Sequence, residues 1–232
     1  MSIVIISWPI FTIAFGLMLL FHFIMTLLSS HFYTKDGVEK KFSIIELELP
    51  ASPIELVNLI RGLYRMSEKQ EAIRSITALR KQLYIDFLFM PFAYGSIFIL
   101  CMLVSAKMQS SFGFKIFYIF AWAQIIPWLC DIIENIYLLR KMKPHPPVSS
   151  IAVHKAYLRM EYLKWSISLG AAICAVAAIC YFWLAGHYEV QSLNYLAIIA
   201  GEIIVFALMG NFFLKKKKLT DVIVKLETPA TK

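Results

Sequence analysis

Apolar runs alternate with short polar and basic segments along the whole chain. Five runs are at least as long as the ~20 residues that an α-helix needs to cross the hydrocarbon core of a bilayer. The pattern therefore predicts an all-α, polytopic membrane helix bundle that forms a single domain over residues 1–232. The predicted transmembrane spans are residues 3–28, 82–106, 116–139, 165–186 and 190–214.

The composition agrees with a membrane protein, since 59% of the residues are hydrophobic, 16% are charged and the mean hydropathy is +0.68. The formal net charge of +8 would also suit a nucleic-acid-binding protein. The basic residues flank the apolar runs, however, where they set topology and contact anionic lipid. We therefore expect membrane lipids and not nucleic acid as partners, and a multi-pass protein of a cell membrane, with the bacterial inner membrane as the expected location.

The distribution of Lys and Arg predicts the orientation, because cytoplasmic loops are enriched in positive charge. Residues 29–81 contain nine of these residues, 140–164 contain six and 215–232 contain six, whereas 107–115 contain two and 187–189 contain none. An arrangement with the N-terminus outside and the C-terminus inside places every segment rich in Lys and Arg on the cytoplasmic side. Residues 215–232 are then a basic cytoplasmic tail.

The first cytoplasmic segment, residues 29–81, contains patterns of its own. Alternation of Ile45, Leu47 and Leu49 with glutamates predicts a short strand. The run from Ser52 to Glu55 has the residues of a capped helix start, and the apolar face that follows suits either a helix on the membrane surface or one packed beneath the bundle. A further helix starts near Ser67 and is expected to continue into the second span.

The third span carries polar groups that are unusual inside a membrane. Asp131, Glu134 and Asn135 share one helical face, and Gln124 lies on that face two turns earlier. Counting from Arg140, Glu134 is about 9 Å and Asp131 about 13 Å inside the predicted cytoplasmic boundary, so both should face the bundle interior. Two ionised carboxylates at i and i+3 repel, so one would be protonated unless a cation or metal lies between them.

Other spans add polar candidates at related depths. Asp86 is the only charged residue in the second span, His22 lies at a depth similar to that of Asp131, and Glu202 lies near the midplane. The simpler alternatives are an Asp86 solvated at the headgroups, a packing histidine, and carboxylates paired with Arg140 or Arg159. The predicted catalytic residues are Asp131, Glu134, Asp86 and Asn135, and the predicted substrate-binding residues are His22, Tyr94, Gln124 and Glu202.

The predicted pocket contains three carboxylates and no Lys or Arg, so protons, a cationic substrate or a divalent metal should offset the charge. A metal would be held by Asp86, Asp131 and Glu134. No phosphate-binding loop or hydrolase motif is present. The preferred hypothesis is acid–base or metal-assisted chemistry on a lipid-like hydrophobic substrate. The alternatives are a proton- or cation-coupled transporter or channel subunit, and a structural or assembly subunit of a membrane complex.

The fourth span contains a ridge of small residues at every fourth position, which allows a neighbouring helix to approach closely. The ridge predicts packing within the chain or a homo-oligomer formed through this span. Its members are Ser166, Gly170, Cys174 and Ala178.

Overall fold

The computed structural model describes the backbone of residues 6–188 and 190–227, and the side chains of residues 6–188 and 192–213. Helices dominate these residues, which confirms a mainly helical protein, and five segments are long and apolar enough to cross a membrane. These segments are Trp8–Ser29, Lys69–Lys107, Ser111–Lys141, Ile151–Leu184 and Ser192–Phe213. The orientation relative to the membrane stays a prediction.

Eight helices and one two-stranded sheet follow one another in the described residues. They are α1 (Trp8–Ser29), β1 (Tyr33–Asp36), β2 (Val38–Lys41), α2 (Ile44–Glu48), α3 (Pro53–Leu63), α4 (Lys69–Lys107), α5 (Ser111–Ala123), α6 (Ile125–Lys141), α7 (Ile151–Leu184) and α8 (Val190–Glu227). The side chains of residues 214–227 and the whole of residues 228–232 lie outside the description, so the predicted basic tail is not tested.

Helix α4 is the centre of the bundle, since it packs against α1, α5, α6 and α7. It is 39 residues long and includes Pro91, which lacks the amide hydrogen for a helical hydrogen bond. The helix begins well before the apolar run, as the sequence predicts for the segment after Ser67. Helix α8 packs mainly against α1, at the edge of the bundle.

The third predicted span is two helices, α5 and α6, which meet at Gln124. Pro127 cannot donate to the carbonyl of Ala123, so the helical hydrogen-bond ladder is interrupted at this position. Gln124 is buried, and its side-chain amide donates to the carbonyl oxygen of Phe120 over 3.0 Å. The side chain therefore bonds within its own helix at the break.

The segment between α1 and α4 differs from the prediction in one respect. The prediction of a strand around Ile45, Leu47 and Leu49 is wrong, because Ile44–Glu48 forms the short helix α2. Ser43 and Glu46 form a capping box, with the Ser43 amide donating to Glu46 Oε1 over 2.9 Å. This local hydrogen bonding favours a helix over the strand that alternation suggested.

The strands lie earlier, in an antiparallel hairpin of β1 and β2 around Gly37. Gly37 has a φ of 76°, a conformation that residues with a Cβ rarely adopt. The rings of Phe32 and Phe42 stack at the open end of the hairpin, with centroids 5.3 Å apart. Thr34 is fully buried and donates to the carbonyl oxygen of Leu59 over 2.8 Å, which fastens the hairpin to α3.

Helix α3 begins as predicted, with the Ser52 hydroxyl accepting from the amide of Glu55 over 3.1 Å. Its apolar face is buried against the hairpin and α4, so of the two alternatives the structure favours packing beneath the bundle. The hydrophobic core at this end includes Leu56, Ile60, Leu63, Leu79 and Leu138. We call this the hairpin end of the molecule.

A second hydrophobic core fills the opposite half of the bundle, where α1, α4, α5 and α7 meet. Helix α7 contributes Ala171, Ala175 and Ile179, which are almost fully buried. Of the predicted small-residue ridge, Ser166, Gly170 and Cys174 are exposed, whereas Ala178 is partly buried and packs against this core. Among the ridge residues, only Ala178 therefore packs against the core within the described part of the chain, and a homo-oligomer through this helix stays a prediction.

Candidate functional site

A cavity of about 460 Å³ lies between α1, α2, α4, α6 and α7 towards the hairpin end. Apolar side chains form one part of its wall, including Met25, Phe89, Ala93 and Ile97. Polar and charged side chains from α4, α6 and α7 form the other part. The cavity therefore has the two-sided character of a site for an amphipathic molecule.

Lys164 is the charged centre beside this cavity. Its ammonium nitrogen lies 2.8 Å from Asp131 Oδ1 and 2.6 Å from Glu161 Oε2, and it donates a short hydrogen bond to Glu134 Oε2. Glu48 Oε2 lies 4.0 Å away. We call Lys164 and these four carboxylates the lysine cluster.

The lysine cluster is built by three helices. Asp131 and Glu134 are one turn apart on α6, Glu161 and Lys164 are one turn apart on α7, and Glu48 ends α2. All members except Glu48 are almost entirely buried. The ammonium supplies the cation that the repulsion between Asp131 and Glu134 requires, so the prediction of a pocket without Lys or Arg is wrong.

Glu48 connects the short helix α2 to the cluster. Burial raises the pKa of Glu48 to about 7, and neighbouring carboxylates add to the rise, although the Lys164 ammonium opposes it. Glu48 therefore changes its charge near neutral pH. Hydrogen bonding holds α2 in place as well, since the Tyr157 hydroxyl donates to the carbonyl oxygen of Leu47 over 3.1 Å.

Two further polar pairs face the cavity. The Tyr94 hydroxyl donates a short hydrogen bond to Asp131 Oδ2, and the Asn135 amide donates to Asp86 Oδ2 over 2.7 Å. The same amide group also donates to the carbonyl oxygen of Leu83 over 3.3 Å. Asp86 has no ion pair with any cation among the described side chains, in contrast to the carboxylates of the lysine cluster.

The local charges do not balance. Five carboxylates line or adjoin the cavity, Asp86 and the four of the lysine cluster, against the single ammonium of Lys164. Burying uncompensated charge is unfavourable by several kcal/mol per ion. Protons or a cationic ligand must therefore offset the remaining negative charge.

The geometry does not support the predicted metal set. The carboxylates that place oxygen atoms within 4.8 Å of one another are Glu48, Glu134 and Glu161, and neither Asp86 nor Asp131 is among them. The Lys164 ammonium lies within 4.0 Å of all three carboxylates. It therefore stands where a metal ion would bind and competes electrostatically with one.

The predicted substrate-binding residues have different positions. His22 and Tyr94 line the cavity, and the His22 ring also contacts Phe89 and Phe206, with centroids 6.3 and 5.5 Å away. Gln124 does not line the cavity, because it bonds within its own helix at the break between α5 and α6.

Glu202 does not line the cavity either, because it packs against Gly16 of α1. A Cβ atom at position 16 would lie 2.8 Å from Glu202 Oε1, so glycine permits this close approach. Glu202 therefore belongs to the interface between α1 and α8 and not to the predicted site.

Three members of the lysine cluster, Glu48, Glu161 and Lys164, were not among the predicted site residues. The signal for two of them was available, because Glu161 and Lys164 share a helical stripe with Tyr157, Ala171 and Ala175. Starting the fourth span at residue 165 left both outside the membrane segment. Glu48 was placed in a strand, so its approach to the bundle interior was not foreseen.

Comparisons with protein-family models, with curated proteins and with solved structures found no match for this chain.

Proposed function

We propose that this protein binds a lipid-like hydrophobic molecule in the cavity and that the carboxylates at its polar end perform acid–base chemistry on that molecule. The observation that carries the proposal is the juxtaposition of apolar wall and charged groups in one cavity of about 460 Å³. Volumes in this range are typical of small-molecule sites.

Access from the bilayer is part of the proposal. Trp165 lines the cavity, and 49% of its surface is exposed. Trp165 is therefore our candidate for the side of the cavity that opens to the bilayer. A hydrophobic molecule dissolved in the bilayer would enter beside Trp165, with its polar group towards Asp86.

The contacts of the carboxylates suggest different roles for them. Asp131 and Glu134 are ion-paired to Lys164, so an ammonium group already occupies one oxygen atom of each carboxylate. Asp86 lacks such a partner and faces the cavity, so we assign proton exchange with the bound molecule to Asp86. Asn135 orients its carboxylate, and Tyr94 together with Lys164 orients Asp131.

Mass spectrometry of the purified protein tests the proposal. We expect the wild-type protein to retain a hydrophobic molecule from the membrane. The Asp86→Asn variant should either retain less of this molecule or retain it in its unreacted form. Asp36→Asn, at the hairpin turn and not among the residues that line the cavity, is the matched control. A wild-type protein that retains no hydrophobic molecule, even when supplied with membrane extract, would contradict the proposal.

The surplus of carboxylates over ammonium groups favours proton-coupled transport as a second function. Carboxylates that bind and release protons would then couple movement of the bound molecule to a proton gradient. Proteoliposomes with an internal pH dye distinguish the two functions. Proton flux that disappears in Asp86→Asn supports transport, and chemical conversion of the bound molecule without flux supports the enzyme.

A further inference from the structure

Gln82 is a buried polar residue of the cavity wall that the acid–base chemistry does not use. It lines the cavity, only 6% of its surface is exposed, and its Oε1 atom has no hydrogen-bond partner. An unsatisfied buried amide oxygen is unfavourable by roughly 1 to 3 kcal/mol. Such an atom at the wall of a cavity is a site for a ligand that donates a hydrogen bond.

Asp86 lies four residues after Gln82 and therefore on the same face of α4, about 6 Å further along the helix axis. Its Oδ2 atom accepts from Asn135, and no described cation neutralises its charge. Gln82 and Asp86 thus offer two hydrogen-bond acceptors, one of them charged, to the same part of the cavity.

The hydroxyl groups around the cavity are also acceptors. Each donates its hydroxyl hydrogen to a backbone carbonyl oxygen over 2.9 Å: Thr26 to that of His22, Ser29 to that of Thr26 and Ser168 to that of Lys164. A hydroxyl has only one hydrogen to donate, so these groups present lone pairs to a ligand. Tyr94 has likewise donated its hydrogen to Asp131.

Lys164 does not change the preference of the cavity for a ligand that donates hydrogen bonds. Its ammonium is surrounded by Asp131, Glu134 and Glu161, and it already meets an excess of negative charge. A ligand with a carboxylate or phosphate group would add to that excess and would find few free donors in the cavity. A cationic ligand would reduce it.

We propose that Gln82 and Asp86 form the binding site for the protonated amine of an amphiphile whose hydrocarbon part occupies the apolar side of the cavity. An ammonium group carries positive charge and has hydrogen-bond donors but no acceptors, which matches the acceptors of the cavity. This assignment rests on the proposed function, since it names the class of molecule that the same cavity binds.

Four ligands with the same ten-carbon chain test this assignment: decylamine, decanol, decanoic acid and decyltrimethylammonium. Native mass spectrometry of the full chain measures the bound fraction for each ligand in competition. We expect the wild-type protein to bind decylamine at least about tenfold more tightly than decanol or decanoic acid, the size of a charge-assisted hydrogen bond. Decyltrimethylammonium, which has charge but no N–H donor, should bind less tightly than decylamine.

Substitutions locate the binding site. Asp86→Asn keeps the size of the side chain and should remove the preference for decylamine, and Gln82→Leu should weaken decylamine binding about three- to tenfold. Gln70→Leu, on an exposed position of the same helix, is the control and should leave binding unchanged. Circular dichroism and gel filtration verify that each variant is folded.

The possible results separate this inference from the proposed function. Equal binding of decylamine, decanol and decanoic acid would overturn the amine assignment and leave a hydrophobic pocket intact. Equal binding of decylamine and decyltrimethylammonium would overturn the role of Gln82, as would wild-type binding by Gln82→Leu. If none of the four ligands binds, the proposed function fails together with the inference.

Discussion

The two halves of α7 pack into the same bundle in opposite ways. Towards the hairpin end the helix buries Glu161 and Lys164, whereas in the other half it buries Ala171, Ala175 and Ile179. The alanines allow close contact with the apolar side chains of α4 and α5. The charged residues allow contact only because each has a partner of opposite sign.

This difference between the two halves of α7 indicates which half is involved in function. Close packing of small apolar side chains stabilises a helix pair without any desolvation of charge. A buried ion pair often contributes little net stability, because the loss of hydration offsets the attraction between the charges. The apolar half therefore provides close packing between the helices, and the charged half, beside the cavity, is where we expect the chemistry.

The largest effect should come from removing the cation of the charged half. Lys164→Met leaves the cluster carboxylates buried without an ammonium, and breaking a buried pair in this way costs about 3 to 5 kcal/mol. Thermal unfolding in detergent should show a strongly lowered midpoint or loss of folded protein. Lys155→Met, at an exposed position of the same helix, is the control and should change little.

A second substitution makes this prediction specific. Adding Glu161→Gln to Lys164→Met removes one of the uncompensated charges and should restore part of the lost stability. Acid pH should act in the same direction, because protonated carboxyl groups do not need an ammonium partner. A Lys164→Met protein as stable as the wild type would show that the lysine cluster is not a buried ion-pair network.

The sequence predicted the bundle well because each span follows from one physical requirement, the burial of apolar side chains in the bilayer. Local signals were equally informative at a helix start, since Ser52 accepts a hydrogen bond from the first turn of α3 as expected. The face shared by Asp131, Glu134 and Asn135 followed from helical periodicity alone. These features depend on residues close together in the sequence.

The side chains that contact this face come from parts of the chain that are far away in the sequence. The sequence analysis did not predict these contacts. Lys164 was assigned to a cytoplasmic loop because a charged residue normally marks the end of a span. Only the packing of α7 against α6 places its ammonium between Asp131 and Glu134. In the same way, Glu202 could be placed at a depth but not on a helix face, so its separation from the cavity required the structure.

The apolar half should respond to volume and not to charge. Ala175 is fully buried between helices, so Ala175→Leu should force them apart and cost about 1 to 3 kcal/mol. Ala177→Leu, on the exposed face of the same helix, is the control. The unfolding midpoint of Ala175→Leu should be lowered equally at acid and neutral pH, in contrast to Lys164→Met. A strong pH dependence would contradict the division into two kinds of packing.

The smallest effect should come from Glu48, at the border between the cluster and the segment that joins α1 to α4. Its pKa is about 7 in the folded protein against an ordinary value of 4.5, so the folded state binds this proton more tightly than the unfolded state. The protonated carboxyl therefore favours folding at low pH, and this advantage is lost as the pH rises from about 4.5 to about 7. Glu48→Gln, which resembles the protonated carboxyl, should match the wild type in acid and be the more stable of the two proteins at alkaline pH. Unfolding midpoints of both proteins across this range measure the difference, with the exposed Glu71→Gln as control.

Parallel pH profiles for Glu48→Gln and the wild type would show that Glu48 does not share the electrostatics of the lysine cluster. The charged half would then consist of residues from α6 and α7, without Glu48 of α2.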